Sequence, residues 1–402
     1  MRIPTLVLAA TAWALAAPPA SAQGIADSTV LRLIKPRVDS GRNPGIVVGI
    51  LEDGRTRIVA YGRSGAPNGA LDGNTVFEIG SITKVFTGTL LALMAERGEV
   101  ALDAPVAQYL PSSVRMPSRN GRQITLEDLS VQFSGLPRLP GNLAPKDLAN
   151  PYADYTVEQM YAFLSGYELP RDPGAQFEYS NLGVGLLGHV LALRAGQSYE
   201  ELVATRILQP LGMTDTRLSL TADLRRRLSQ GHGMNGQPMA NWDIPTLAGA
   251  GALRSTANDM LKFAAAALGG TGPLANAFAQ AMRPRRDIAP DGRARIGLNW
   301  ITSRTGPIDI TWHNGGTGGY RSYLGLDPSH ERAVIVLTNS ANGADDIGRQ
   351  ILAIAAGGGN GRADHTVRGA AHLLPAMSWS RPGFVFLLAT ACPPSPPTRA
   401  VR

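Results

Sequence analysis

Apolar residues recur three and four positions apart from Thr29 to Val38, which predicts an amphipathic opening helix. The pattern then shortens. Gly45 to Leu51 and Thr56 to Tyr61 are rich in β-branched residues and flank the turn Glu52-Asp53-Gly54, so they read as a β-hairpin. From about Thr75 to Phe278 helical periodicity takes over, in Ile82–Arg97, Thr156–Leu164, Leu182–Ala195, Tyr199–Ile207 and Thr256–Leu268, with Pro and Gly at the joins. Strands return at Gly297–Thr302, Ile308–Trp312, Tyr320–Leu326 and Ala333–Asn339, before a last helix, Asp345–Ala356. This order predicts an α+β fold. An antiparallel sheet is made from both chain ends, about 26–75 and 290–356, and is flanked by the N- and C-terminal helices; an all-helical lobe, about 76–289, is inserted between them. The two end helices are expected to share one face of the sheet.

The ends of the chain break this pattern. Arg2, the apolar run Thr5 to Ala17 and the small-residue stretch Pro18-Pro19-Ala20-Ser21-Ala22-Gln23 read as a secretory signal peptide over residues 1–22, so a periplasmic or secreted protein is expected. The residue directly after the cleavage point is Gln23 and not Cys, which argues against a lipoprotein anchor. Residues 357–402 open on the linker Gly357-Gly358-Gly359-Asn360-Gly361 and read as a flexible extension. Its apolar piece, Gly383 to Ala391, is far short of the roughly 20 residues a membrane helix requires, so no transmembrane segment is expected after signal removal. Cys392 is the only cysteine, which excludes an intramolecular disulfide.

The formal charge of +7 raises the question of nucleic acid. Its densest cluster, Arg225-Arg226-Arg227, has no interleaved aromatics and reads as a solvated helix face, so no nucleic-acid partner is expected. The six histidines show no metal-ligand spacing, and neither a metal nor another cofactor is expected. A monomer acting on a small molecule fits this composition. Only four of the 38 basic residues are lysine, so a lysine inside an apolar helix asks why arginine would not serve. Lysine can give up its proton in a protein and arginine cannot.

That lysine is Lys84, in Gly80-Ser81-Ile82-Thr83-Lys84, one helical turn after Ser81. The pair is either a nucleophile beside a proton acceptor or an ordinary helix cap beside a surface lysine. Tyr179 and Asn181 precede another helix; they are either a proton relay and a substrate-binding amide, or packing and an N-cap. His313-Asn314-Gly315-Gly316 ends a predicted strand, either at a glycine-rich turn or where a substrate approaches the backbone closely. No Gly-x-Ser-x-Gly occurs, which argues against an α/β-hydrolase nucleophile elbow.

Taken together, Ser-x-x-Lys, Tyr-x-Asn and His-x-Gly in this order resemble the penicillin-recognising serine hydrolases: class C β-lactamases, D-Ala-D-Ala carboxypeptidases and β-lactamase-like esterases. The resemblance covers about residues 26–356. It implies an acyl-enzyme on Ser81, Lys84 and Tyr179 as the acid/base pair, and Asn181, His313, Asn314, Gly315 and Gly316 as substrate-binding residues. The oxyanion hole would be the backbone N–H groups of Ser81 and Gly316. Substrates would be β-lactams or D-Ala-D-Ala-type peptides, with short-chain esters and a non-catalytic penicillin-binding protein as alternatives. The chain departs from the family at Gln132-Phe133-Ser134-Gly135-Leu136-Pro137, where His-Thr-Ser-Gly-Leu-Pro is frequent, and this is expected to change the wall of the site. It also carries His313 where class C β-lactamases keep a lysine facing the substrate carboxylate. If His313 serves that carboxylate as a cation, KM for an anionic substrate should rise between about pH 5.5 and 8.

Overall fold

A computed structural model describes residues 24–306 and 308–355; the expected signal peptide and C-terminal extension lie outside these residues. Eight strands form one antiparallel sheet, in the spatial order Arg55–Gly62, Gly45–Glu52, Arg332–Thr338, Arg321–Asp327, Ile308–Gly316, Ile301–Thr305, Ala294–Ile296 and Arg286–Asp287. Both chain ends thus supply the sheet, as the pattern predicts. The expected strand 297–302 lies four residues further on, because Gly297 and Leu298 instead pair with the backbone of Trp300 and Ala281.

Register decides which side chains face which layer. His313, Leu324, Ile335 and Gly49 are cross-strand neighbours and share one face. That face is covered by the helix Ala257–Leu268, whose Leu261 lies 3.1 Å from where a Cβ on Gly49 would stand. Asn314, Tyr323, Val336 and Val48 share the opposite face. There the helix Asp345–Ala355 packs, with Gly348 directly over the Tyr323 ring. The opening helix Asp27–Asp39 joins it, with Arg37 paired to Asp346 and donating to the Gly343 carbonyl at 3.1 Å, so the two end helices share a face as expected.

The inserted region is built around two helices without a solvent face. Thr83–Glu96 is buried from Thr83 through Met94, and Asn181–Ala195 is buried over most of its length. A helix apolar on all sides belongs in a core. Their N-terminal ends meet near the Ala248–Gly251 helical turn, beside the Ile308–Gly316 strand.

Candidate active site

The chain reaches Ser81 through a tight reversal. Phe77–Glu78 pairs with Arg254–Ser255, Gly80 takes a left-handed φ of 49°, and a 3-10 turn, Gly80–Ile82, leads into the Thr83–Glu96 helix. No side chain caps either the turn or the helix, so Ser81 is not an N-cap. Lys84 is completely buried and is not a surface lysine.

Lys84 Nζ lies 3.0 Å from Ser81 Oγ, 2.9 Å from Asn181 Oδ1 and 2.6 Å from the Ala250 carbonyl oxygen. Burial holds its pKa well below the usual lysine value, and the Arg138 guanidinium pushes the same way. A neutral amine has two N–H donors and one lone pair. Asn181 Oδ1 and the Ala250 carbonyl can only accept, so both N–H groups are committed to them and the lone pair is left facing the Ser81 hydroxyl. In that state the serine donates to the lysine.

Tyr179 completes the arrangement from the other side of Ser81. Its hydroxyl is hydrogen-bonded to Ser81, its ring centroid is 4.8 Å from Lys84 Nζ, and burial pushes its pKa up to about 12. The phenol therefore keeps its proton and donates to the Ser81 oxygen. Such a triad can take the serine proton at Lys84 and deliver one from Tyr179.

Asn181 reaches Lys84 because its neighbour does the capping. Ser180 Oγ accepts from Gly183 N at 2.8 Å and donates to the Pro137 carbonyl at 2.6 Å, so the N-cap is Ser180 and the Asn181 amide is left for the site. Gln132, standing where the family often has His, is buried behind this segment and does not form the wall of the site. Its side chain accepts from Ser180 N at 2.7 Å and its carbonyl from Glu178 N at 2.8 Å, which clamps the loop on both sides of Tyr179.

The Ile308–Gly316 strand runs through the third motif instead of ending before it, and the turn falls at 317–320. His313 faces the Ser81 side, its ring 6.3 Å from that of Tyr179, and is 1% exposed. Its Nδ1 lies 2.6 Å from the Asn314 carbonyl, which can only accept, so Nδ1 carries the proton. Burial, the leading cause, pushes the His313 pKa down to about 3. The imidazole is therefore neutral, and the expected loss of an imidazolium charge near neutral pH is corrected. For an anionic β-lactam, KM should change by less than about twofold between pH 5.5 and 8 beyond any change seen with a neutral ester. A selective rise through that window, measured on one preparation, would restore a charged histidine.

Asn314 also departs from expectation. Its side chain lies on the opposite face, where its amide donates to Asp345 Oδ2, so only its backbone adjoins the site. Gly315 and Gly316 face the serine turn closely. A Cβ on Gly315 would stand 1.9 Å from the Ile79 carbonyl oxygen, and one on Gly80 would stand 2.6 Å from Gly316 N.

Three contributors were not legible as site residues. Ala250 acts through its carbonyl, which any residue supplies. Tyr152 is buried, hydrogen-bonded to Asn181, and packs at 5.4 Å on Trp242 from a loop without periodicity. Glu78 is buried beside Arg254, at 3.5 Å, and accepts from Trp242 N at 2.9 Å, which ties the 239–243 segment to the serine turn. Its position three residues before Ser81 was the only hint.

Comparison with known proteins identifies the family and the fold. The Beta-lactamase family model matches residues 30–358. The D-alanyl-D-alanine-carboxypeptidase/endopeptidase AmpH of Escherichia coli (strain K12) is 31% identical over 310 residues, covering 72% of this chain and 78% of its own. A class C β-lactamase from Rhodobacter sphaeroides has a similar structure, with a TM-score of 0.70, 25% identity, and coverage of 83% of this chain and 98% of that one. A β-lactamase/D-alanine carboxypeptidase from Yersinia pestis complexed with citrate gives a TM-score of 0.70 at 25% identity, covering 82% and 98%.

Proposed function

Because the chain belongs to the β-lactamase family of penicillin-recognising serine hydrolases, we propose that it is exported and cleaves D-Ala-D-Ala-type peptides and β-lactams through an acyl-enzyme on Ser81. The observation that carries this reading is the buried Lys84 amine, which donates to Asn181 Oδ1 and the Ala250 carbonyl and lies 3.0 Å from Ser81 Oγ. As Ser81 Oγ attacks the carbonyl carbon, its proton passes to the Lys84 lone pair. Negative charge develops on the carbonyl oxygen, facing the backbone N–H groups of Ser81 and Gly316. When the C–N bond breaks, Tyr179 protonates the leaving nitrogen and recovers a proton from Lys84. Water then attacks the ester, and its proton returns through the same pair to Ser81 Oγ.

Export rests on the N-terminal sequence. Ile25, just past the expected cleavage point, is buried and donates its N–H to the buried Glu52 at 3.0 Å. Among the described residues no helix is long and apolar enough to cross a membrane.

A second reading, a carboxylesterase, is favoured by the uncharged His313, which offers no cation to a substrate carboxylate. Labelling with a fluorophosphonate and with a fluorescent penicillin, followed by mass spectrometry of the modified peptide, tests the mechanism. Both labels are expected on Ser81, and label on another residue, or none, would overturn it. Parallel hydrolysis of nitrocefin, a D-Ala-D-Ala peptide and p-nitrophenyl butyrate separates the two readings. Turnover of the ester alone would favour the esterase.

A further inference from the structure

Five non-glycine residues among those described take a left-handed φ, and three of them, Asp53, Asn120 and Glu331, are exposed. The other two, Gln132 at 66° and Asn299 at 62°, are buried and bonded to each other. A side chain disfavours this conformation, so it persists only where surrounding contacts enforce it, and such places collect around functional sites. Here the contacts lead to Tyr179. Ser180 N can only donate, so the Gln132 atom 2.7 Å away is its carbonyl oxygen. That turns the Gln132 amide nitrogen towards Asn299 Oδ1, at 3.2 Å, and leaves Asn299 Nδ2 to donate to Ser130 Oγ at 3.0 Å. Ser130, Gln132, Ser180 and Asn299 are all buried, so no solvent competes for these bonds.

Asn299 comes from the sheet side of the molecule. It lies two residues before the strand Ile301–Thr305, and its own N–H donates to the Ser130 carbonyl at 3.1 Å. Its neighbour Leu298 abuts the helix that carries Lys84. A Cβ on Gly88, one turn beyond Lys84, would stand 1.9 Å from the Leu298 carbonyl oxygen. One short segment therefore borders both halves of the acid/base pair. Leu298 meets the helix of Lys84, and Asn299 reaches the loop of Tyr179 through Gln132.

We propose that Asn299 is a positioning residue for Tyr179, acting through Gln132 to hold the phenol where it protonates the leaving group. The role rests on the acyl-enzyme reading and adds to it a determinant from the sheet. Neither amide titrates, so the hold on the loop stays the same across the pH range in which Lys84 changes charge.

The test uses leaving groups that differ in their need for a proton. A penicillin expels an amide nitrogen, which Tyr179 must protonate, whereas a fluorophosphonate expels fluoride, which leaves as an anion. Both reagents react at Ser81 in the acyl-enzyme reading. Asn299→Gly deletes the side-chain amide, and glycine takes the left-handed backbone without strain. It should slow penicillin labelling of Ser81 by about tenfold or more, and fluorophosphonate labelling by less than about threefold. Ser130→Ala removes only the far bond, should give a smaller loss of the same kind, and serves if Asn299→Gly does not fold. Gln132→Gly should show the same selectivity, and the double variant with Asn299→Gly should be no slower than Gln132→Gly alone. If the wild type takes esters but no penicillin, ethyl and p-nitrophenyl butyrate make the same comparison, since ethoxide needs the proton and p-nitrophenolate does not. Equal slowing with both leaving groups, slowing with neither, or losses that multiply in the double variant overturn the positioning role while leaving the acyl-enzyme standing. A wild type in which no reagent labels Ser81 overturns the mechanism itself, and this role with it.

Discussion

Lys84→Arg should slow acylation of Ser81 by roughly 10²- to 10⁴-fold, the range associated with losing a general base, and so approach the complete loss expected of Ser81→Ala. The substitution keeps a positive charge, which is why it separates two explanations. A lysine serving only as a cation would be replaced well by arginine. A lysine serving as a neutral amine would not, because guanidinium stays protonated and has no lone pair to receive the serine proton. The geometry favours the second case. The amine is completely buried, its donors are occupied by Asn181 Oδ1 at 2.9 Å and the Ala250 carbonyl at 2.6 Å, and Ser81 Oγ lies 3.0 Å away on what remains. Pre-steady-state labelling with a fluorescent penicillin measures the acylation rate directly. A Lys84→Arg enzyme acylating within about threefold of wild type would be faster than any loss of a general base allows, and the role would be purely electrostatic.

The same contacts set the pH dependence. Labelling requires Lys84 unprotonated, so its rate should fall on the acid side through a pKa below the usual lysine range. Tyr179, pushed up to about 12, keeps its proton and should add no basic limb at the ordinary tyrosine value near 10.

Much of this was legible in the sequence, and the exceptions have physical causes. Periodicity located the helix Asn181–Ala195 to within one residue of its expected start at Leu182, because burial along most of that helix required apolar residues throughout. It missed the edge strand Arg286–Asp287, whose two residues are both exposed, and its three-residue neighbour Ala294–Ile296, because runs this short carry no pattern. The spacing of Ser81 and Lys84 singled out the pair, but only burial separates a buried base from a surface lysine. The residue types at 180 and 181 are both good caps, and the choice between them depends on the Pro137 carbonyl more than 40 positions away. The charge of His313 was misjudged for the same reason. A reference pKa belongs to an imidazole in water, whereas this one is enclosed and faces Lys84. The strand was expected to end before the glycines, at a turn or where a substrate approaches the backbone; it continues through Gly315 and Gly316, which lie so close to the serine turn that a Cβ on Gly315 would collide with the Ile79 carbonyl.

That lack of room predicts the second large effect. Gly315→Ala should lower the acylation rate by about 10²-fold or more, through a shift of the strand away from the serine turn. An added methyl group would stand 1.9 Å from the Ile79 carbonyl oxygen and 2.4 Å from Ser322 Oγ, and those two atoms are themselves bonded at 2.8 Å, so neither can retreat without breaking that bond. Overpacking of this kind costs about 1–3 kcal/mol, and occasionally more. The damage should exceed the stability loss, because the moving parts carry Gly316 N on one side and Ser81 on the other, and a displacement of about 1 Å is enough to spoil a reacting geometry. Gly343→Ala is the matched control, since a Cβ there meets nothing within 4 Å. Melting temperature and penicillin labelling rate, measured together on both variants at a temperature where each is fully folded, distinguish misplacement from unfolding. A folded Gly315→Ala enzyme that labels at the wild-type rate would mean that the close approach of Gly315 to the Ile79 backbone has no part in positioning Ser81 for attack.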